Sequence, residues 1–135
     1  MSKPEFFVTP SYGERQLRTF HYSQAVKIGN RVETSGQGGW NDNWEFPESL
    51  TDEIAQAFRN VERTLASAGA AWQHVIQVNS YHVGFPDEVN QTMTERFRHT
   101  PPSGLLWESP PSATQRCGSR FALQPFSRND AATER

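Results

Sequence analysis

Two short polar segments hold the side chains best suited to chemistry. Tyr22-Ser23-Gln24 and Ser35-Gly36-Gln37 flank a β-rich run whose middle, Gly29-Asn30, tolerates the positive φ angles that tight hairpin turns need. In a hairpin turning there, residues whose positions sum to about 58 or 59 face each other, so Tyr22 and Ser35 fall near one end of the ribbon. A phenol, a hydroxyl and glycine N–H groups at that end can hold a small polar ligand. The same residues also satisfy a purely structural arrangement, a tyrosine packed under a Ser-Gly turn.

Other signatures are absent. The chain has no GxxxxGK[ST], no GxGxxG after a strand, no HExxH and no CxxC pair. His21, His74, His82 and His99 are too scattered to define a metal site by spacing, so no metal is expected. Cys117 is the single cysteine, which excludes an internal disulfide, and it would act as a nucleophile only with a base brought beside it.

The elements that must position the polar segments are legible in part. Residues 1–19 carry Pro4 and Pro10 and no sustained period, which reads as an arm with one short strand at Phe6–Thr9. The hairpin spans Phe20–Thr34, placing Tyr22-Ser23-Gln24 on its first strand. Trp40–Pro47 is a polar loop studded with aromatics. Ser49, three residues before Asp52, opens a helix whose Ile54, Phe58, Val61 and Leu65 share one stripe, and Gly69 is its natural stop. His74–Val83 reads as a strand, and Pro86-Asp87 opens a second helix with Val89, Met93 and Phe97 in step up to about His99. The order β-β-α-β-α gives an α+β sheet with two helices on one face.

Composition narrows the function classes. At 135 residues the chain is one domain's worth, with 35% hydrophobic and 12% aromatic residues. Thirteen Lys and Arg against 15 Asp and Glu leave a net charge of −2, and no five-residue block has a single sign. No nucleic-acid partner and no membrane partner are expected from such a balance. One cysteine and the lack of an apolar 18-residue run or a leader pattern point to a cytoplasmic protein.

Tyr22–Val26, the IGNRVETSGQ run from Ile28 to Gln37, Ala57–Glu62, Leu65–Gly69, and Val75–Tyr81 ahead of Val89-Asn90 carry a resemblance. The chain resembles the reactive-intermediate deaminase family, the Rid/YjgF type also labelled L-PSP endoribonuclease, over residues 20–99. The SGQ and RNVE segments are the most specific, and the SGQGGW run from Ser35 to Trp40 looks like a distinct subgroup. The resemblance implies a chorismate-mutase-like β-β-α-β-α-β-β fold, a homotrimer, and hydrolysis of small 2-imino or enamine acids to 2-oxo acids and ammonia without any cofactor. It carries substrate-binding roles onto Tyr22, Ser35, Gly36 and Asn90. The endoribonuclease label finds no support in the charge or in a catalytic histidine pair.

The last 35 residues depart from the family. Of these, 12 are Pro, Ser or Gly, and no alternation or helical stripe runs through them. The resemblance assigns 1–100 to the family-like domain, while composition alone reads 101–135 as a loop-rich or disordered tail, leaving the last two strands in doubt. The family's arginine after the second helix and its glutamate on the final strand, which would pair with the substrate carboxylate and position the attacking water, have no counterpart. A one-nucleotide shift near residues 98–106, in the gene or in its recorded sequence, would account for this; the alternative is a genuinely divergent C-terminus. Codons permitted for Trp107 to Ser127, read one nucleotide out of phase, spell Gly-Val-Ala-Thr-Phe-Gly-Asp-Ala-Ala-Met-Arg-Val-Glu-Ile-Arg-Val-Ala-Ala-Phe-Phe, which resembles the family's final strands. The same shift permits Pro-Ala-Lys-Arg-Ala-Ile-Val over residues 100–107, restoring an arginine. Two functions stay open: an imine deaminase, or a non-catalytic trimer that binds a small carboxylate or a protein partner.

Overall fold

The computed structural model describes residues 2–82, 87–98, 103–108 and 120–125. In chain order these form β1 (Glu5–Phe7), α1 (Tyr12–Phe20), β2 (Ala25–Ile28), β3 (Arg31–Thr34), α2 (Leu50–Ser67), a 3-10 turn (Trp72–His74), β4 (Val75–His82), α3 (Asp87–Arg96), β5 (Ser103–Glu108) and β6 (Arg120–Pro125). The α+β order β-β-α-β-α-β-β is therefore present from β2 onward, matching the chorismate-mutase-like fold.

Strands β1, β2 and β3 make one antiparallel sheet, with Ala25 opposite Thr34 and Ile28 opposite Arg31, the register expected for a turn at Gly29-Asn30. A second sheet has β4 at its centre, with β5 parallel on one side and β6 antiparallel on the other. Strand β3 lies beside β6, α2 packs on β2, β3 and β6, and α3 lies beside α2.

Helix α2 starts where the sequence says it should. Ser49 Oγ accepts the Asp52 N–H at 3.1 Å, and Asp52 and Glu53 put negative charge at the positive end of the helix. Its stripe of Ile54, Phe58, Val61 and Leu65 is buried against Val75 and Val78 of β4 and against Phe97. Each such side chain contributes about 1.5–3 kcal/mol on burial. This is the main core, and it fixes the helix above the sheets.

Three expectations need correction. The arm is not an arm: α1 occupies Tyr12–Phe20, and the preceding strand is Glu5–Phe7 rather than Phe6–Thr9. Helix α1 buries Tyr12, Gly13 and Gln16, a face held by hydrogen bonds rather than by an apolar stripe, so hydrophobic periodicity had nothing to register. The hairpin is also shorter. His21, at φ 57°, ends α1 by donating its N–H to Leu17 O, and Tyr22-Ser23-Gln24 forms the connection into β2. Only Gln24 joins the ladder, through Gln24 N–H to Phe7 O and Ser35 N–H to Gln24 O.

The third correction concerns the tail. Residues 103–108 and 120–125 are strands, paired to the two edges of β4. A backbone can complete a ladder with a central strand without an alternating side-chain pattern of its own, and that pairing is invisible to composition. Val83, His99 and Cys117 lie outside the described residues.

Candidate functional site

The end of α1, the connection after it, the end of β3 and the following loop enclose a cleft of about 690 Å³. Tyr22, Ser35 and Gly36 line it together, so the structure brings three of the four expected site residues to one place. Asn90 is not among the lining residues; it lies exposed on α3. The remaining wall is aromatic: Phe20 from α1, Trp40, Trp44 and Phe46 from the loop, and Tyr81 from β4, with Gln16 between them. No charged side chain lines this cleft among the described residues. A neighbouring cleft of about 620 Å³ shares Tyr22 and Ser35 and includes His21 and Glu33, whose carboxylate is engaged by Arg31 at 2.9 Å.

A buried polar network holds the Ser35 end in place. Tyr12 is fully buried and donates its hydroxyl to Gln37 Oε1 at 2.6 Å. That bond fixes the Gln37 amide so that its Nε2 donates to Ser35 Oγ at 3.2 Å and to Ser35 O at 3.3 Å. Accepting from Gln37 uses one lone pair of the Ser35 hydroxyl and leaves its proton for another partner. Burial raises the Tyr12 phenol above its usual value of 10.0, outweighing the hydrogen bonds from Thr64 and Thr9, so the hydroxyl stays a neutral donor throughout the physiological range.

The second specific segment meets the first here. Asn60, fully buried on α2, donates from Nδ2 to the carbonyls of Gly38 and Trp40 at 2.7 Å each, and Gln56 donates to its Oδ1 at 2.9 Å. The glycines between are sterically required. A Cβ on Gly38 would sit 2.4 Å from the Trp40 ring, and one on Gly39 would sit 2.3 Å from Glu53 O. Gln24 closes the other side: its Oε1 accepts the Thr9 N–H at 2.9 Å, and its Nε2 donates to Gly13 O and Gln16 Oε1.

The aromatic wall is presented by a tight turn. Asn41 Oδ1 accepts the N–H groups of Asn43 and Glu45, Asn41 N donates to Glu45 O, and Trp44 N donates to Asn41 O. Trp44 sits at φ 66°, a region that glycine favours and that costs a large side chain about 1 kcal/mol or more. Its ring is stacked on Phe20 with centroids 5.4 Å apart and planes 5° apart, and Phe20 is stacked in turn on Tyr22 at 6.4 Å and 21°. The Arg15 guanidinium lies 4.5 Å from the centre of the Trp44 ring.

Sequence reasoning missed Tyr12, Gln37 and Asn60 as the frame of the site, although Gln37 and Asn60 stand in its two most specific segments. It noted the aromatics of the loop without a role for them. Among the described residues no cluster of three or more His, Cys, Asp or Glu could hold a metal ion, and no helix is long and apolar enough to cross a membrane.

Comparison with known proteins follows the same lines. A family described as Endoribonuclease L-PSP matches residues 14–115. Over 81 residues the chain is 38% identical to a 2-iminobutanoate/2-iminopropanoate deaminase of Dermatophagoides farinae, covering 57% of this chain and 63% of that protein. Over 83 residues it is 30% identical to the RutC family protein YjgH of Escherichia coli, covering 61% and 63%. The chain thus spans less than two thirds of the length of these curated relatives. Among solved structures, a member of the YjgF/YER057c/UK114 family from Mycobacterium tuberculosis superposes with a TM-score of 0.75 at 20% identity, over 93% of this chain and all of the other, a likeness of fold.

Proposed function

The chain belongs to the Endoribonuclease L-PSP family, the Rid/YjgF proteins, and on that premise we propose that its Tyr22–Ser35–Gly36 cleft hydrolyses 2-imino acids, and their enamine tautomers, to 2-oxo acids and ammonia. The observation that carries this is the Tyr12–Gln37–Ser35 hydrogen-bond chain, which holds the Ser35 hydroxyl in a cleft that Tyr22 also lines. The activity by which the Dermatophagoides relative is named supports the same chemistry. Water adds to the iminium carbon, giving a carbinolamine. A proton then moves to nitrogen, the C–N bond breaks with departure of ammonia, and the remaining hydroxyl becomes the carbonyl. Ser35 and Tyr22 orient the substrate and pass protons between water and nitrogen. The reading includes a cytoplasmic homotrimer, with the exposed Phe6, Ile28 and Ile76 of β1, β2 and β4 as apolar surface for a neighbouring copy to cover.

A specific observation favours a second reading. No arginine or carboxylate lines the cleft among the described residues, which suits a protein that binds a small carboxylic acid or a protein partner without turning over. Generating the imine in situ with an amino acid oxidase separates the two. The deaminase accelerates 2-oxo acid release, and Ser35→Ala or Tyr22→Phe lowers that acceleration by roughly a hundredfold or more. A binder is stabilised against heat by the acid and leaves the release rate unchanged.

A further inference from the structure

The cleft is far larger than a three-carbon acid requires. Its 690 Å³ falls within the roughly 300–1,000 Å³ typical of sites for drug-sized ligands, and of the nine described residues that line it six are aromatic, Tyr22 among them. Three of the rings form a continuous near-parallel series, Tyr22 on Phe20 on Trp44, running from the polar Ser35 end into the apolar wall. Trp40 and Phe46, edge to face at 6.3 Å, add a second pair.

Trp44 is the telling member. A turn residue at φ 66° is ordinarily Gly or Asn, and the Asn41 hydrogen bonds that build this turn make no use of the indole. Strained backbone persists where the surrounding structure holds it in place, and it clusters at ligand sites. Here the ring lines the cleft and is locked by Phe20 and by the Arg15 guanidinium above it.

We infer that the Tyr22–Phe20–Trp44 series makes this cleft selective for imino and 2-oxo acids bearing an aryl side chain, over the small aliphatic acids. The inference rests on the deaminase reading of the same cleft and adds its substrate class. The carboxylate end of such an acid lies at Ser35 and Gly36, where the Ser35 hydroxyl is found, and the aryl group lies against the aromatic wall. A planar ring gains dispersion and quadrupole contacts there that a methyl group does not.

Calorimetric titration of the intact protein with phenylpyruvate and with pyruvate tests the inference. Phenylpyruvate is expected to bind about tenfold more tightly or better. In Trp44→Gly, which removes the ring and relieves the φ strain, the ratio of the two affinities falls towards one while circular dichroism stays native. Phe46→Ala gives an independent reduction of the ratio. Equal affinity in the parent protein, a ratio untouched in a folded Trp44→Gly, or binding of neither acid overturns the inference. The oxidase-coupled assay with phenylalanine and alanine is run alongside. No acceleration with either, together with an intact affinity ratio, removes the deaminase reading and leaves the aryl-acid site standing.

Discussion

Glu53 carries the clearest electrostatic tension in the molecule. It lies in the first turn of α2, where the helix dipole favours a carboxylate, yet it is 7% exposed and its Oε1 has no partner among the described residues. Burial dominates and raises its pKa above the ordinary 4.5. A carboxyl whose folded pKa is raised binds its proton more tightly in the folded state. Stability is therefore full below the ordinary value and declines as pH rises from there through the folded pKa. Glu53→Gln is predicted to raise the melting temperature at pH 7–8, with the gain shrinking towards zero below about pH 4.5. Thermal denaturation across that pH range checks it; a gain that is constant with pH contradicts it. At this scale the sequence was informative about the cleft's polar corner and silent about what holds it. The turn at Gly29-Asn30 put the end of β3, with Ser35 and Gly36, beside the segment that carries Tyr22, although Tyr22 itself lies in the connection before β2 and not on the ladder. Tyr12 and Asn60 were not legible, because a buried hydrogen-bond partner 25 or 52 residues away leaves no periodic trace, as the Tyr12–Gln37 and Tyr12–Thr64 bonds illustrate. Asn90 came from the resemblance alone, and nothing in the fold of one chain brings it to the cleft.

Helix α2 and helix α1 show why some elements were legible and others were not. Helix α2 combines a cap, acidic first-turn residues and a four-residue apolar stripe, all local signals that agree. Ser49→Ala removes the acceptor for the Asp52 N–H and is predicted to cost about 1 kcal/mol, measured as a shift in the urea midpoint with unchanged slope. A loss under a few tenths of a kcal/mol contradicts the cap's role. Helix α1 has no side-chain cap hydrogen bond at Ser11, and its buried face of Tyr12, Gly13 and Gln16 is polar or small. Its existence depends on tertiary hydrogen bonds, donated by Gln24 to Gly13 and Gln16 and by Tyr12 to Asn60 of α2, which override a weak local preference. The Trp40–Pro47 loop lay between: its aromatic content was visible, but the Asn41-centred turn that aims those rings into a cleft is a property of the fold.

Across the whole molecule, the thin apolar content of the last 35 residues sits on strands that the fold nevertheless completes. We propose that a one-nucleotide shift near codons 98–106 produced the stretch 101–135 as written. In support, β5 and β6 fall at Ser103–Glu108 and Arg120–Pro125, and the shifted phase spells Ala-Ile-Val-Gly and Glu-Ile-Arg-Val-Ala-Ala over those stretches. Sequencing the coding DNA around codons 98–107 is expected to show the gain or loss of one nucleotide relative to homologous DNA. An uninterrupted frame in close homologous DNA encoding the same tail contradicts it. On that proposal the shift removes the arginine and glutamate that the family resemblance places beside the cleft, and the proposed deamination by the protein as written would rest on Ser35, Tyr22 and the Tyr12–Gln37 hydrogen bond. The most direct test of that account is the rate of 2-oxo acid release from an imine generated in situ, with and without the protein. Release faster than the spontaneous rate, and diminished in Ser35→Ala, is the predicted result; a rate identical to the spontaneous one, from protein that still binds the 2-oxo acid, contradicts it.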